Sequence, residues 1–155
     1  MAGVERTTHD NSEPIVLFII GMRVNKPWLL HRWFPIFTAM PKMLFELMRE
    51  PDTGLLKARI ALSGRTVFVV QYWRSTADLE RYANDPARLH RPAWLRFYKG
   101  AAQSGAVGIF HETYEVAPGR HESLYGNMAP FGLASATGGP ITVSEAKRRF
   151  ADRLS

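Results

Sequence analysis

Ile15 to Val24 is an almost unbroken apolar stretch rich in β-branched residues, fenced by Pro14 on one side and Lys26-Pro27 on the other. It predicts a buried strand. From Trp28 to Arg49 the period changes. Leu29, Trp33, Phe37, Met40, Leu44 and Leu47 recur at three- and four-residue steps, the signature of one helical face. Pro35 and Pro41 fall inside this pattern, so a kink is expected, or a clean helix that starts after one of them and ends near Glu50. Pro51-Asp52-Thr53-Gly54 is a stop and a turn. Leu55 to Leu62 and Thr66 to Arg74 flank Ser63-Gly64-Arg65 and read as a hairpin. In its second strand, Thr66, Phe68, Val70 and Tyr72 share one face, and Val67, Val69, Gln71 and Trp73 share the other. Both faces are apolar enough to predict a central strand covered on both sides. Ser75 is placed as an N-cap with Asp78 completing a short capping box, and the helix it opens runs to about Asn84. Asp85-Pro86 interrupts it. A further helix is expected from Ala87 or Pro92 to about Gln103, then a long strand from Ala106 to Val116. A shorter strand, His121 to Met128, is expected to return beside it. From Ala129 onward Gly, Pro, Ala and Ser predict a loop, and Val143 to Arg153 a basic helix or a frayed end.

The order β-α-β-β-α-β is the split βαβ unit of ferredoxin-like α+β domains. Such a sheet carries helices on one face only, yet these strands are apolar on both. A soluble monomer rarely keeps a large apolar patch. The expected solution is a homodimer packed sheet to sheet, a dimeric α/β barrel with twofold symmetry and a cavity between sheet and helices in each protomer.

Composition narrows the function. The chain has 155 residues, 46% hydrophobic and 22% charged, which suits one folded domain and not a disordered chain. Its longest apolar run spans six residues, Ile15 to Ile20, whereas a membrane-spanning helix needs roughly 20. The absence of cysteine excludes disulfides, thiolate catalysis and Cys-ligated metal sites. The net charge of +6 is scattered, and its densest cluster is Lys147-Arg148-Arg149. Nucleic-acid binding needs a concentrated basic footprint, so neither nucleic acid nor membrane is expected as a partner. Met1 to Pro14 is polar and lacks an apolar core, which predicts a mobile arm and not a secretory signal. The organisation expected is an arm over 1–13, a domain over 14–134 and a tail over 135–155, in a cytoplasmic protein.

The candidate chemistry is histidine-centred. His90, Trp94, Phe97 and Tyr98 fall at i, i+4, i+7 and i+8 of one helical face. Such a stripe is ordinarily core. If it lines the cavity, His90 is a general base or a metal-binding side chain. Its flanking arginines, Arg88 and Arg91, are otherwise solvated. His111, Thr113 and Glu115 alternate onto one face of the long strand, so His111 either lines the cavity or is buried at the dimer interface. Arg23, Asn25, Gln71, Tyr72 and Asn127 are polar in apolar strand contexts and need partners or a ligand. Asn127 could hold an oxyanion. Met22, Met40, Met43, Met48 and Met128 offer adaptable lining or ordinary core filling. His9, His31 and His121 read as loop or helix-surface residues. No HExxH, GxSxG, Walker loop or dinucleotide fingerprint occurs.

Several segments together resemble one family: Phe18 to Asn25, Gln71-Tyr72-Trp73-Arg74-Ser75, His90-Arg91-Pro92-Ala93-Trp94, Ser104 to Tyr114, and Tyr125 to Leu133. They resemble the fumagillin-pathway monooxygenase-like family, long labelled a domain of unknown function. It lies in the dimeric α/β-barrel superfamily beside the antibiotic-biosynthesis monooxygenases. The resemblance runs from about Pro14 to Ala134. It implies an oxygenase that uses O2 on a small apolar, natural-product-like substrate, with no metal or flavin. Superfamily members that bind haem place a histidine ligand on the helix before the last long strand, and His90 stands in a comparable place. The haem alternative therefore makes His90 the axial ligand, with Arg88 and Arg91 near the propionates. In the cofactor-free reading His90 takes a proton, and Trp94, Tyr72 or Asn127 stabilises the anion. Arg23, Phe97, Tyr98, His111 and Met22 then contact substrate. The non-enzymatic alternative is a small-ligand binding protein with the same pocket.

Overall fold

The computed structural model describes residues 5–85, 100 and 103–142. Its elements are β1 (Arg6–Thr8), β2 (Ile15–Val24), α1 (Leu30–Arg49), a 3-10 turn at Pro51–Thr53, β3 (Leu55–Ser63), β4 (Thr66–Trp73), α2 (Thr76–Asn84), β5 (Val107–Val116), β6 (Tyr125–Gly126), α3 (Leu133–Thr137) and β7 (Ile141–Thr142). Four strands form an antiparallel sheet in the order β3-β4-β2-β5. This is the ferredoxin-like α+β topology, with β2 and β4 central and the hairpin partner β3 at one edge.

Register assigns every side chain to a face. Phe18 lies opposite Gln71 and Thr113, Ile20 opposite Val69 and His111, and Met22 opposite Val67 and Ile109. These residues alternate onto the helix-facing side. Met22, Val67 and Val107 form one buried cluster there, with Trp33 and Ile36 of α1 packed on it. Val16, Leu47, Trp73 and Leu79 form a second, which joins α1 and α2 to the sheet. Trp73 is fully buried, and its indole N–H donates to Gln71 Oε1 at 2.9 Å. That bond answers the need of a polar glutamine inside an apolar strand.

Helix α1 runs through both prolines without a break. Pro35 is exposed, so the carbonyl that lacks its usual amide partner can turn to water, and Thr38 Oγ1 donates to the Pro35 carbonyl at 3.0 Å. Helix α2 begins as its sequence predicts. Ser75 is the N-cap and its Oγ accepts from the Asp78 amide at 3.1 Å. The Asp78 carboxylate does not close the box on the Ser75 amide; it takes Ser75 Oγ–H and two arginines instead.

The chain termini depart from the sequence reading. Arg6–Thr8, expected within a mobile arm, pairs with β6 on one side and β7 on the other. The strand expected over His121–Met128 shrinks to Tyr125–Gly126 and pairs with β1, not with the long strand β5. The expected loop after Ala129 contains α3, whose Leu133 and Ala134 are buried. His9, expected at the surface, is buried beneath this small sheet. Its ring bonds the Gly139 carbonyl through Nδ1 at 2.7 Å and Thr137 Oγ1 through Nε2 at 2.6 Å. The expected helix between Ala87 and Gln103 lies largely outside the described residues, and the basic segment from Val143 to Arg153 lies wholly outside them.

Candidate functional site

The helix-facing floor of the sheet is apolar at its centre and gains polarity toward β5. Met22, 1% exposed, and Trp73 anchor it. His111 stands on the edge strand β5, on the same face, with its ring centroid 5.9 Å from that of Phe18. It is exposed, and no hydrogen bond engages its ring among the described residues. Farther along β5, Glu115 accepts from Thr76 Oγ1 at the start of α2. A free imidazole beside an aromatic ring, at the edge where the floor turns polar, can take a proton from a bound carbon or oxygen acid.

The opposite face divides in two. One part is open. Gly21 lies beneath the Phe110 ring; a Cβ at position 21 would come within 2.5 Å of that ring and 2.7 Å of Phe68 Cβ. Glycine is therefore what lets the Phe110 ring come this close to β2. Tyr114 donates to Glu112 Oε2 at 2.8 Å, and this bond holds the phenol proton on and raises its pKa. The other part is roofed by the turn from Tyr125 to Ser135. Tyr125 Oη donates to the Phe131 carbonyl at 2.8 Å and accepts from the Ala134 amide at 3.3 Å, which fixes the turn. Beneath it lie Arg59 and Tyr72. The Arg59 guanidinium sits 4.1 Å from the centre of the Phe131 ring. Burial pushes the Tyr72 phenol pKa up, as does Tyr125, while Arg59 works against both.

A third polar group brackets the start of α2. Asp78 Oδ2 accepts from Arg74 Nε at 2.8 Å and Oδ1 from Arg81 Nη2 at 2.5 Å. Hydrogen bonding from Arg74, helped by Ser75 and Arg81, outweighs burial and holds this carboxyl at about 2. Gly54, at φ +86, passes so close that a Cβ there would meet Asp78. This group ties α2 to the turn before β3.

The residues singled out by sequence thus sort onto two faces. Met22 and His111 share the helix-facing floor. Tyr72 and Arg23 point to the other side, because adjacent strand positions alternate. Asn127 is exposed in a left-handed turn at φ +51. Its Oδ1 accepts from the Glu5 amide at 2.8 Å and its own amide donates to the Glu5 carbonyl at 2.9 Å, so it clips the N-terminal strand to the turn. His90, Trp94, Phe97 and Tyr98 lie outside the described residues. Arg59 is absent from the sequence candidates, although Lys57, Arg59 and Ala61 alternate onto one face of β3 and that polar pair is the available signal.

Among the described residues no three His, Asp or Glu side chains gather as a metal-binding group. A haem needs an imidazole in an enclosed apolar pocket. His111 is exposed on an edge strand against Phe18, which does not fit that need, and His90 is outside the described residues.

Topology and faces define a ferredoxin-like α+β domain with a histidine on the floor beneath its helices. Residues 15–133 match the monooxygenase af470-like family, and the chain belongs to that family. Monooxygenase af470 of Aspergillus fumigatus is 30% identical over an alignment of 128 residues that covers 75% of this chain and 44% of that protein. The chain therefore spans less than half the length of that relative. Among solved structures, an aldoxime dehydratase in complex with butyraldoxime aligns with a TM-score of 0.66 at 19% identity, over 84% of this chain and 40% of that one. A dimeric protein of unknown function and ferredoxin-like fold from Bacteroides fragilis aligns with a TM-score of 0.50 at 13% identity, over 69% of this chain and 99% of that one. At such identities the likeness is one of fold. No helix among the described residues is long and apolar enough to cross a membrane.

Proposed function

We propose that the protein is a monooxygenase that uses O2 on a small apolar substrate with an acidic C–H or O–H group, without a cofactor, and that it works as a homodimer. The observation that carries this reading is membership of residues 15–133 in the monooxygenase family. It is supported by an imidazole, His111, beside Phe18 at the polar edge of the floor. The imidazole takes the acidic proton of an activated methylene. The resulting carbanion passes one electron to O2, and the two radicals combine to a peroxide. Loss of water then leaves a ketone. In the balance, one methylene and one dioxygen give one ketone carbonyl and one water. The methylene is oxidised by four electrons, and dioxygen supplies one atom to the product and one to water. Dimerisation would cover the open part of the sheet around Gly21, Phe68 and Phe110.

The test is oxygen uptake by the purified, chelator-treated chain with a panel of anthrones, whose activated methylene the step requires. Expected are uptake of one O2 per ketone formed and one labelled atom in the ketone from 18O2. His111→Ala should slow turnover about a hundredfold, the scale of a positioned general base. Absence of uptake across the panel overturns the reading in favour of a small-ligand binding protein. The haem alternative rests on His90. A sharp Soret band on adding hemin, abolished by His90→Ala, would favour it over the cofactor-free route.

A further inference from the structure

Arg59 is a cation that the fold positions without a carboxylate partner among the described residues. Its Nε is buried with no hydrogen-bond partner among the described residues. Among the described residues it makes one hydrogen bond, from Nη2 to Ser135 Oγ, which is 3.5 Å long, at the outer limit for such a bond. Arg74 and Arg81 share Asp78, but no carboxylate among the described residues pairs with Arg59. The guanidinium is nevertheless held in place by the Phe131 ring, and Phe131 is held by the Tyr125 hydroxyl. Ser135 Oγ in turn donates to the Gly132 carbonyl at 2.9 Å. The turn thus orients a fork of donors and supplies no acceptor of matching strength.

Tyr72 completes the geometry. It stands on the same face as Arg59, since Arg59 pairs with Val70 and Lys57 with Tyr72 across β3 and β4. The half-buried phenol keeps its proton through the neutral range and is a hydrogen-bond donor there. Gly132, at φ +53, borders its hydroxyl; a Cβ at that position would stand 2.9 Å from Tyr72 Oη. The missing side chain at position 132 therefore lets the turn come down close onto this hydroxyl. Val70 and Phe131 give the place an apolar wall, and Lys57 adds positive charge to the patch.

We propose that Arg59 and Tyr72 bind the carboxylate of a small apolar acid beneath the Tyr125–Ser135 turn, on the sheet face opposite the oxygenation site. A flat guanidinium matches a carboxylate through two parallel N–H···O bonds, and a phenol can donate a third. One fork and one phenol suit a planar monoanion. The apolar wall suits an aromatic or aliphatic body. Two of the segments that carry the family resemblance, Gln71–Ser75 and Tyr125–Leu133, meet at this place.

The experiment is calorimetric titration of the full chain with benzoate and with its neutral counterpart benzyl alcohol. Saturable binding of benzoate, and none of benzyl alcohol, is expected. Arg59→Gln should weaken benzoate at least about tenfold, and Tyr72→Phe a few-fold. Arg59→Lys keeps the charge but not the fork and should fall between wild type and Arg59→Gln, with a melting curve showing that each variant is folded. Equal benzoate binding by folded Arg59→Gln overturns the proposal, as does equal binding of benzyl alcohol or no saturable binding by wild type. Calorimetry reads no turnover, so failure here leaves the oxygenase reading standing, and absent oxygen uptake leaves this one standing.

Discussion

Two arginine environments in this small domain look alike on a charge map and behave differently. At the start of α2, Arg74 and Arg81 converge on one carboxylate, Asp78, whose side chain is 6% exposed while both arginine side chains are 62% exposed. Under the C-terminal turn, Arg59 is more deeply set, stacked on Phe131, and has no carboxylate partner among the described residues. In the first case the charges are matched within the fold, and their work is to fix α2 against the turn at Gly54. In the second the fold orients a cation without neutralising it. A positioned but unmatched charge has a stability cost that a matched one lacks. It is therefore the better candidate for meeting something outside the chain.

Removing the shared acceptor is the strongest way to break the first environment. Asp78→Ala takes away the acceptor of two charged bonds and empties the space against Gly54. A fully buried pair would lose roughly 3–5 kcal/mol on losing one partner. Here the arginines can rehydrate, so a loss of about 2 kcal/mol is expected from urea unfolding. A loss below about 0.5 kcal/mol, the level of an ordinary surface change, would show that the group does not hold α2 in place.

Acid sharpens the same point. The Asp78 carboxyl has its folded pKa depressed to about 2, from an ordinary 3.8. A depressed carboxyl contributes stability that is full above its unfolded pKa and is lost as pH falls through the folded one. The stability gap between wild type and Asp78→Asn should thus be constant from pH 7 to about 4.5, then narrow between about 4 and 2. A gap that stays constant down to pH 2 would mean that the depression is absent.

The same contrast explains what could be read from sequence. Strands β2 to β5 announce themselves by alternation and by long apolar runs, and the Ser75 cap by the residues around it. So the topology was legible, as was the partnership of Ser75 with Asp78. Of the two readings the prolines offered, a helix starting after one of them is overturned, because α1 already begins at Leu30; His31 and Pro35 lie on an exposed stretch where a missing amide is cheap. The small sheet of β1, β6 and β7 was not legible at all. Strands of two or three residues carry no period, and their pairing joins Arg6 to Gly126 across the length of the domain. The site was legible only in parts. His111 and Met22 follow from strand alternation. Arg59 acquires meaning only from Phe131 and Ser135, which lie far along the chain.

Each arginine of the matched group taken singly should matter less than their shared partner. Arg74→Ala leaves Arg81 and Ser75 on Asp78. With a side chain 62% exposed, Arg74→Ala should cost clearly less than Asp78→Ala in a melting experiment, and less again in high salt. A cost near that of Asp78→Ala would mean that Arg74 alone carries the link and that the sharing is incidental.

The smallest effect is expected where the burial is greater. Arg59→Met keeps a flexible side chain of similar length against Phe131 and removes the orphaned Nε donor along with the charge. It sacrifices a stacking contact worth about 0.5–1 kcal/mol and relieves an unsatisfied group that costs about as much or more. Stability should therefore stay within about 0.5 kcal/mol of wild type, or rise. The opposite outcome, a loss of about 2 kcal/mol or more, would make Arg59 a structural residue like Asp78 and erase the distinction between the two environments. An unchanged melting curve together with lost benzoate binding would separate them fully, because Arg59 would then matter to a ligand and not to the fold, the reverse of Asp78.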